Sequence, residues 1–184
     1  MDTPPQTTRQ PFVDPAVILN GVSLVQGDVV ADFGCGNGFY VIPAAQLVGA
    51  QGKVWAIDVL PQALEDTLSK AKMNGLSNVQ TVRANVEKVG TTTIAEGTVD
   101  LVILANILHQ SQMRKEILAE TARVLKKGGR VLVVDWKKQA VPFGPAVAQR
   151  VDEQEVKTSC QQAGMSQSGS VDTDQYHYGL LFTK

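Results

Sequence analysis

From residue 29 to residue 136, short apolar runs alternate with stretches in which apolar residues return every three or four positions. The short runs read as buried strands and the periodic stretches as amphipathic helices. Strands are expected at residues 29–33, 53–58, 79–83, 99–104 and 130–136. Helices are expected at 39–50, with Ile42, Ala45, Leu47 and Val48 inward, and at 61–74, with Leu64, Leu68 and Ala71 on one side and Gly75 closing it. A third covers 111–125, with Met113, Ile117, Thr121, Val124 and Leu125 at helical spacing. Ahead of these, a short helix starts at Pro15, with Asp14 placed to cap it. It runs to about Leu24 unless Gly21 ends it sooner. Residues 137–151 hold Pro142, Gly144 and Pro145 and read as a loop; 152–163 read as a helix ending at Gly164. Residues 167–171 and 176–183 form a closing hairpin, turned at Asp172-Thr173-Asp174. Such βαβα alternation predicts an α/β fold, a mostly parallel sheet with helices on both faces. Residues 1–14, polar and rich in Pro, read as an N-terminal arm, and residues 15–184 as one domain.

Composition narrows the partners. The formal net charge is -1 over 184 residues, so no field draws in nucleic acid phosphates. The pairs Lys126-Lys127 and Lys137-Lys138 read as solvated ends of elements. With two cysteines, Cys35 and Cys160, and two histidines, His109 and His177, neither a disulfide framework nor a metal-ligand spacing is available. No apolar run reaches membrane-spanning length, and the N-terminus lacks the basic start and apolar stretch of a signal peptide. The expected compartment is the cytoplasm.

The first strand runs into Asp32-Phe33-Gly34-Cys35-Gly36-Asn37-Gly38. Glycines at the carboxyl end of a strand let a ligand approach the backbone, at the sheet edge where open α/β folds bind ligands. A tight strand-to-helix turn is the plainer reading of any one of them. Asp32 stands ahead of the loop, where a carboxylate meets a cationic group. Asp58 closes the second strand, where a carboxylate accepts hydrogen bonds from two ribose hydroxyls. Val59 and Leu60 follow and suit an adenine face. The spacing GxGxG, with Phe39 and Tyr40 after it, departs from the GxGxxG of dinucleotide sites.

On these residues the chain resembles the class I methyltransferases that use S-adenosylmethionine. The resemblance covers roughly residues 15 to 184. The family's first motif falls on 29–38, its second-strand acid on Asp58, and its third motif on Ala84-Asn85-Val86. There Asn85 replaces the usual acid and keeps both a donor and an acceptor for adenine. The fourth motif falls on 100–109, and Lys126-Lys127-Gly128-Gly129 leads into strand five. The resemblance implies a Rossmann-like doubly wound sheet of seven strands in the order 3-2-1-4-5-7-6, the last strand antiparallel. It implies S-adenosylmethionine at Asp32, Gly34, Gly36, Gly38, Asp58, Val59, Leu60, Asn85, Val86 and Asn106, the last through its backbone near the methionine end. Cys35 reads as a small loop filler.

The strand-four exit, Leu104-Ala105-Asn106-Ile107-Leu108-His109, carries neither the signature of base-amino methylation nor the Pro-Cys nucleophile of cytosine methylation. A small-molecule acceptor is expected instead. The stretch from Asn106 onward is similar to the type 11 branch with its ubiquinone and menaquinone enzymes. It is similar to the arsenite enzymes as well, whose placed cysteines this chain lacks. His109 reads as a base or substrate contact, or as a histidine packing at a helix start. Asp135 and Trp136, ending strand five, read as substrate contacts, and Trp136 equally as core; His177 reads as structural or surface. The alternatives are a non-catalytic S-adenosylmethionine-binding protein, a nicotinamide oxidoreductase, which would need GxGxxG, and an aminopropyltransferase, which would need an acidic active-site loop. The oligomeric state is left open.

Overall fold

The computed structural model describes residues 14–184, so the arm read over residues 1–14 lies outside the described residues except for Asp14. Five helices and seven strands follow in order: α1 Pro15–Asn20, β1 Val29–Phe33, α2 Val41–Val48, β2 Lys53–Asp58, α3 Pro61–Met73, β3 Val79–Arg83 and β4 Val99–Ala105, then α4 Arg114–Val124, β5 Leu125–Trp136, α5 Glu153–Gln162, β6 Ser166–Ser170 and β7 His177–Thr183. Single 3₁₀ turns occupy Leu108–Gln110 and Val147–Gln149. The strands form one sheet in the order β3-β2-β1-β4-β5-β7-β6, in which β7 runs antiparallel to both neighbours. This is the methyltransferase order that the resemblance implies.

The central strands are buried on both faces, which is why β1 and β4 read as unbroken apolar runs. One core lies under α1, α2 and α3, around Val30, Val41, Val48, Val54, Leu101 and Leu132. The other lies under α4 and α5, around Phe33, Leu104, Ile117, Val131, Val156 and Phe182. Among the described residues no helix is long and apolar enough to cross a membrane.

Three details depart from the periodicity. Helix α1 stops at Gly21, whose N–H returns to Ile18 O, while Asp14 accepts from Ala16 N at 2.9 Å. Helix α2 starts at Val41, so its buried face is Val41, Ala44, Ala45 and Val48, while Ile42 and Leu47 are half-buried. Strand β5 begins at Leu125, where helix was expected. Leu125 pairs with Val99, the Lys126 ammonium grips Asp100 at 2.8 Å, and Gly128 and Gly129 bond to Lys184 at the end of β7. Long-range pairing overrides a helical signal at its last turn. Met113, expected inward, precedes α4 and is exposed.

A buried polar network fixes the connection from β3 to β4. Glu120 on α4 is fully buried and accepts from Gly90 N, the Thr92 hydroxyl and the Arg123 guanidinium. Burial works against its ionisation, and the hydrogen bonds from Arg123, Thr92 and Gly90 outweigh that, holding the carboxyl below the ordinary glutamate value. A carboxyl depressed on folding contributes stability above its unfolded pKa and loses it as pH falls through the folded one. Glu120→Ala strands four donors, two of them on the partly exposed Arg123. It is expected to cost about 2 kcal/mol in urea unfolding at neutral pH, with the difference from the wild type shrinking in acid. An unchanged midpoint would show that the network adds nothing.

Candidate functional site

The strand order reverses between β1 and β4, which opens a crevice at the carboxyl ends of the strands. A cavity of about 1080 Å³ occupies it. Single-ligand pockets span roughly 300–1,000 Å³, so this one has room for two small molecules side by side. One end is lined by Gly34, Gly36, Asp58, Leu60, Asn85 and Val86, and the other by Asn106, Ser111, Trp136 and His177.

The first end is built by β1 turning into α2. Gly34 N and Cys35 N both donate to Ile57 O, at 2.8 and 2.9 Å, tying the loop to β2. Gly36 N donates to Asp58 Oδ2 at 3.0 Å, and Leu60 N to Asp58 Oδ1 at 2.9 Å. Each carboxylate oxygen keeps lone-pair capacity for another donor. At Gly36 a Cβ would meet nothing within 4 Å, so the backbone is bare toward the cavity. Gly38, expected as a ligand contact, is not among the residues that line this cavity. Its φ is +76°, and a Cβ there would come within 2.9 Å of the Thr67 hydroxyl, so it is small in order that the loop can pack on α3. Asn85 lines the cavity and its Oδ1 already accepts from Glu87 N, so its Nδ2 is the free donor. Val59 and Leu60 are exposed at the rim.

Among the described residues, two acceptors in this cavity, on Asp32 and Asn106, have no hydrogen-bond donor. Asp32 is 2% exposed, and burial first, then the Asp58 charge, pushes its carboxyl up to about 7. Asn106 sits at the end of β4 with φ +56°, an uncommon backbone state for a non-glycine residue, and its buried Oδ1 has no partner among the described residues. A buried acceptor without a donor costs about 1–3 kcal/mol, so the arrangement suits a ligand that brings N–H groups. Burial, with Asp32 and Asp58 nearby, raises the Cys35 thiol, which leaves it a protonated filler of the loop.

The two strand-five residues part company. Trp136 lines the cavity, with the His177 ring centroid 4.2 Å away and the Arg150 guanidinium 5.1 Å over it. Arg150, itself buried, donates to the carbonyls of Lys137, Gln139, Phe143 and Pro145 and so folds the 137–149 loop against Trp136. Asp135, expected as a substrate contact, is placed differently from Trp136. It is fully buried, does not line the cavity, and accepts from His109 N, Trp136 N and the His109 ring, whose Nδ1 lies at 2.7 Å. Alternation along β5 turns the two side chains to opposite faces of the sheet. His109, held by that carboxylate, is likewise absent from the cavity wall.

Among the lining residues that sequence reasoning missed are His177, Glu87 and Ser111. His177, expected to be structural or at the surface, is buried on the cavity wall. It lies beside Trp136 because β7 pairs antiparallel with β5, a register no local pattern announces. Glu87 and Ser111 also line the cavity and are hydrogen-bonded to each other. They meet because the connections after β3 and β4 converge at one sheet edge.

Comparison with known proteins adds a family. A family model described as a methyltransferase domain matches residues 24–180. The arsenite methyltransferase of Halobacterium salinarum is 32% identical over 122 residues, 66% of this chain and 30% of that protein. A ubiquinone/menaquinone biosynthesis C-methyltransferase of Francisella philomiragia is 33% identical over 119 residues, 64% of this chain and 46% of that protein. The aklanonic acid methyltransferase of a Streptomyces species is 32% identical over 127 residues, 66% of this chain and 54% of that protein. The chain thus spans 30% to 54% of the length of these relatives. The crystal structure of an S-adenosylmethionine-dependent methyltransferase from Aquifex aeolicus superposes with a TM-score of 0.86 at 29% identity, covering 96% of this chain and 93% of that one.

Proposed function

Because the chain belongs to the class I S-adenosylmethionine-dependent methyltransferase family, we propose that it methylates a small-molecule acceptor held in the Trp136 end of the cavity. The observation that carries this reading is one continuous cavity that joins the glycine loop to an aromatic chamber. S-adenosylmethionine, when bound, supplies an electrophilic methyl on a sulfonium. The residues at the loop end fit it. Asp58 offers both oxygens to a ribose, Gly36 leaves its backbone bare, and Val59, Leu60, Asn85 and Val86 surround the place of the adenine. Asp32 and Asn106 supply acceptors for an ammonium with three N–H donors.

The chain's own contribution to the chemistry is mainly positional. With a strong electrophile in place, rate comes from holding the nucleophile in line and excluding water. Arg150 and the 137–149 loop keep Trp136 fixed as a wall, and Ser111 and Glu87 add polar groups to the cavity lining. His109, pinned by Asp135, stiffens the exits of β4 and β5 in this reading. Residues 15–184 work as one domain, without nucleic acid as substrate. The free, buried Cys35 and Cys160 accord with a reducing cytoplasm.

The test is transfer of a labelled methyl group from S-adenosylmethionine to a panel of small acceptors, with RNA and DNA as controls. Transfer to a small acceptor and none to nucleic acid is expected; the reverse sinks the reading. Once an acceptor is known, Trp136→Ala is expected to lower transfer at least tenfold. Cofactor affinity should stay within about threefold, well under the roughly 1.4 kcal/mol of a tenfold change. If cofactor affinity collapses instead, Trp136 belongs to the cofactor end.

A further inference from the structure

We propose that His177 is the proton acceptor of this site, held as a base by Asp174, and that the acceptor it serves is a weakly acidic hydroxyl on an aromatic ring. The inference rests on the methyl-transfer reading above and adds to it the residue that activates the nucleophile.

Asp174 makes more than a turn. Its Oδ1 accepts the backbone N–H groups of Tyr176 and His177, at 2.8 and 2.9 Å. Beyond these, the His177 ring nitrogen Nδ1 lies 2.8 Å from Oδ1 and 2.9 Å from Oδ2. A carboxylate accepts only, so Nδ1 carries the proton and Nε2 keeps its lone pair. Among the described residues no protein group is hydrogen-bonded to Nε2, and that atom is not among the buried atoms left without a partner. The ring lines the cavity beside Trp136. An imidazole oriented through Nδ1 by a carboxylate, with its ring on the wall of a ligand cavity and no protein partner at Nε2 among the described residues, suits a general base.

The molecule holds a second such pair for comparison. His109 is pinned by Asp135 in the same way, but it does not line the cavity. Of the two carboxylate-backed histidines, His177 is therefore the one placed to meet an acceptor. Among the described residues the other titratable groups on the cavity wall are Tyr40, Asp32, Asp58, Glu87 and Cys35, with Arg150 across the Trp136 ring. Burial keeps the Tyr40 phenol above its ordinary range, with the charges of Asp32 and Asp174 adding to the effect, so it stays protonated. The wall formed by Trp136 and His177 favours a planar ring, which gains offset or edge-on aromatic contact there.

In the step assigned to His177, the acceptor O–H bond breaks with its electron pair left on oxygen, and the proton bonds to the Nε2 lone pair. Asp174 balances the imidazolium charge. The oxygen, now anionic, takes the methyl group from the sulfonium donor, the C–S pair remaining on sulfur. No further co-reactant is needed.

Two measurements test this. In nitrogen-15 spectra of the protein alone at pH 8, the histidine signals lost in His177→Gln should report a protonated Nδ1 and a bare Nε2. Adding 2-naphthol in the presence of S-adenosylhomocysteine should shift that Nε2 and leave His109 in place. A protonated Nε2, or no shift on addition of 2-naphthol, overturns the assignment, and this arm decides even if the wild type methylates neither test phenol. In methyl-transfer assays, His177→Gln should lower the rate on 2-naphthol, which is protonated at this pH, by about 100-fold. On 4-nitrophenol, already ionised, the loss should be within about threefold. Equal losses on both phenols indicate a structural role and overturn the proposal. Asp174→Asn, which keeps an acceptor for the turn but removes the charge, should reproduce the same discrimination between phenols in a milder form. If it discriminates not at all, Asp174 does not position the base.

Discussion

Asp58→Ala is expected to weaken binding of S-adenosylhomocysteine by roughly 30- to 800-fold, the equivalent of about 2–4 kcal/mol for two hydrogen bonds to a charged group. The carboxylate performs two tasks at once. Toward the protein it accepts from Gly36 N and Leu60 N, which fixes the glycine loop against the end of β2. Toward the cavity each oxygen retains a lone pair for a ribose hydroxyl. The alanine variant loses both, while Asp58→Asn keeps one acceptor oxygen and should fall between it and the wild type. Calorimetric titration of the folded variants reads the effect directly. An unchanged dissociation constant in a folded Asp58→Ala protein would show that the ribose is held elsewhere.

The second large effect is on pH. Asp32 is buried, and its carboxyl is pushed from the ordinary aspartate range up to about 7. The raised value means that the unliganded folded protein binds a proton more tightly than the unfolded chain does. Stability from this group is therefore present at low pH and declines as pH rises from about 4 to about 7. A ligand ammonium at Asp32 requires the ionised form, so binding below about pH 7 expels a proton. Affinity for S-adenosylhomocysteine should rise about tenfold per pH unit up to about 7, or about 100-fold from pH 5 to 7, and then level. The ligand's own α-amino group must stay protonated, and its deprotonation sets the upper limit of that plateau. Asp32→Asn should bind weakly and with a flat profile. A wild-type affinity independent of pH between 5 and 7 would show that no cation meets Asp32.

Much of this is legible in the sequence. Each expected strand is present, and the central ones are the clearest, because strands buried on both faces leave continuous apolar runs. The cofactor end is legible for a similar reason. Its glycines and acids lie at the carboxyl ends of β1 and β2, adjacent in sequence to the signals that announce those strands. What escapes is what depends on pairing between distant segments. Leu125 has the helical spacing of α4 but is drawn into β5 by pairing with Val99, with Lys126 held on Asp100. Gly38 resembles its neighbours in the loop, and only the packing of Thr67 from α3 shows its different task. Asp135 and Trp136 are adjacent in sequence and face opposite sides of the sheet, so one is buried against His109 while the other meets the cavity. His177 lies far along the chain from the glycine loop and from the exit of β4. It reaches the site only through the antiparallel register of β7 on β5, which sets it opposite Trp136.

The central claim is that the cavity above β1 and β2 binds the methyl-donating cofactor through Asp58 and the bare backbone at Gly36. Calorimetric titration of the protein with S-adenosylhomocysteine, and separately with NAD, tests it most directly. The account predicts saturable binding of S-adenosylhomocysteine at one site per chain, reduced by Asp58→Ala, and no comparable binding of NAD. Binding of NAD tighter than that of S-adenosylhomocysteine, or no binding of S-adenosylhomocysteine at all, would contradict it.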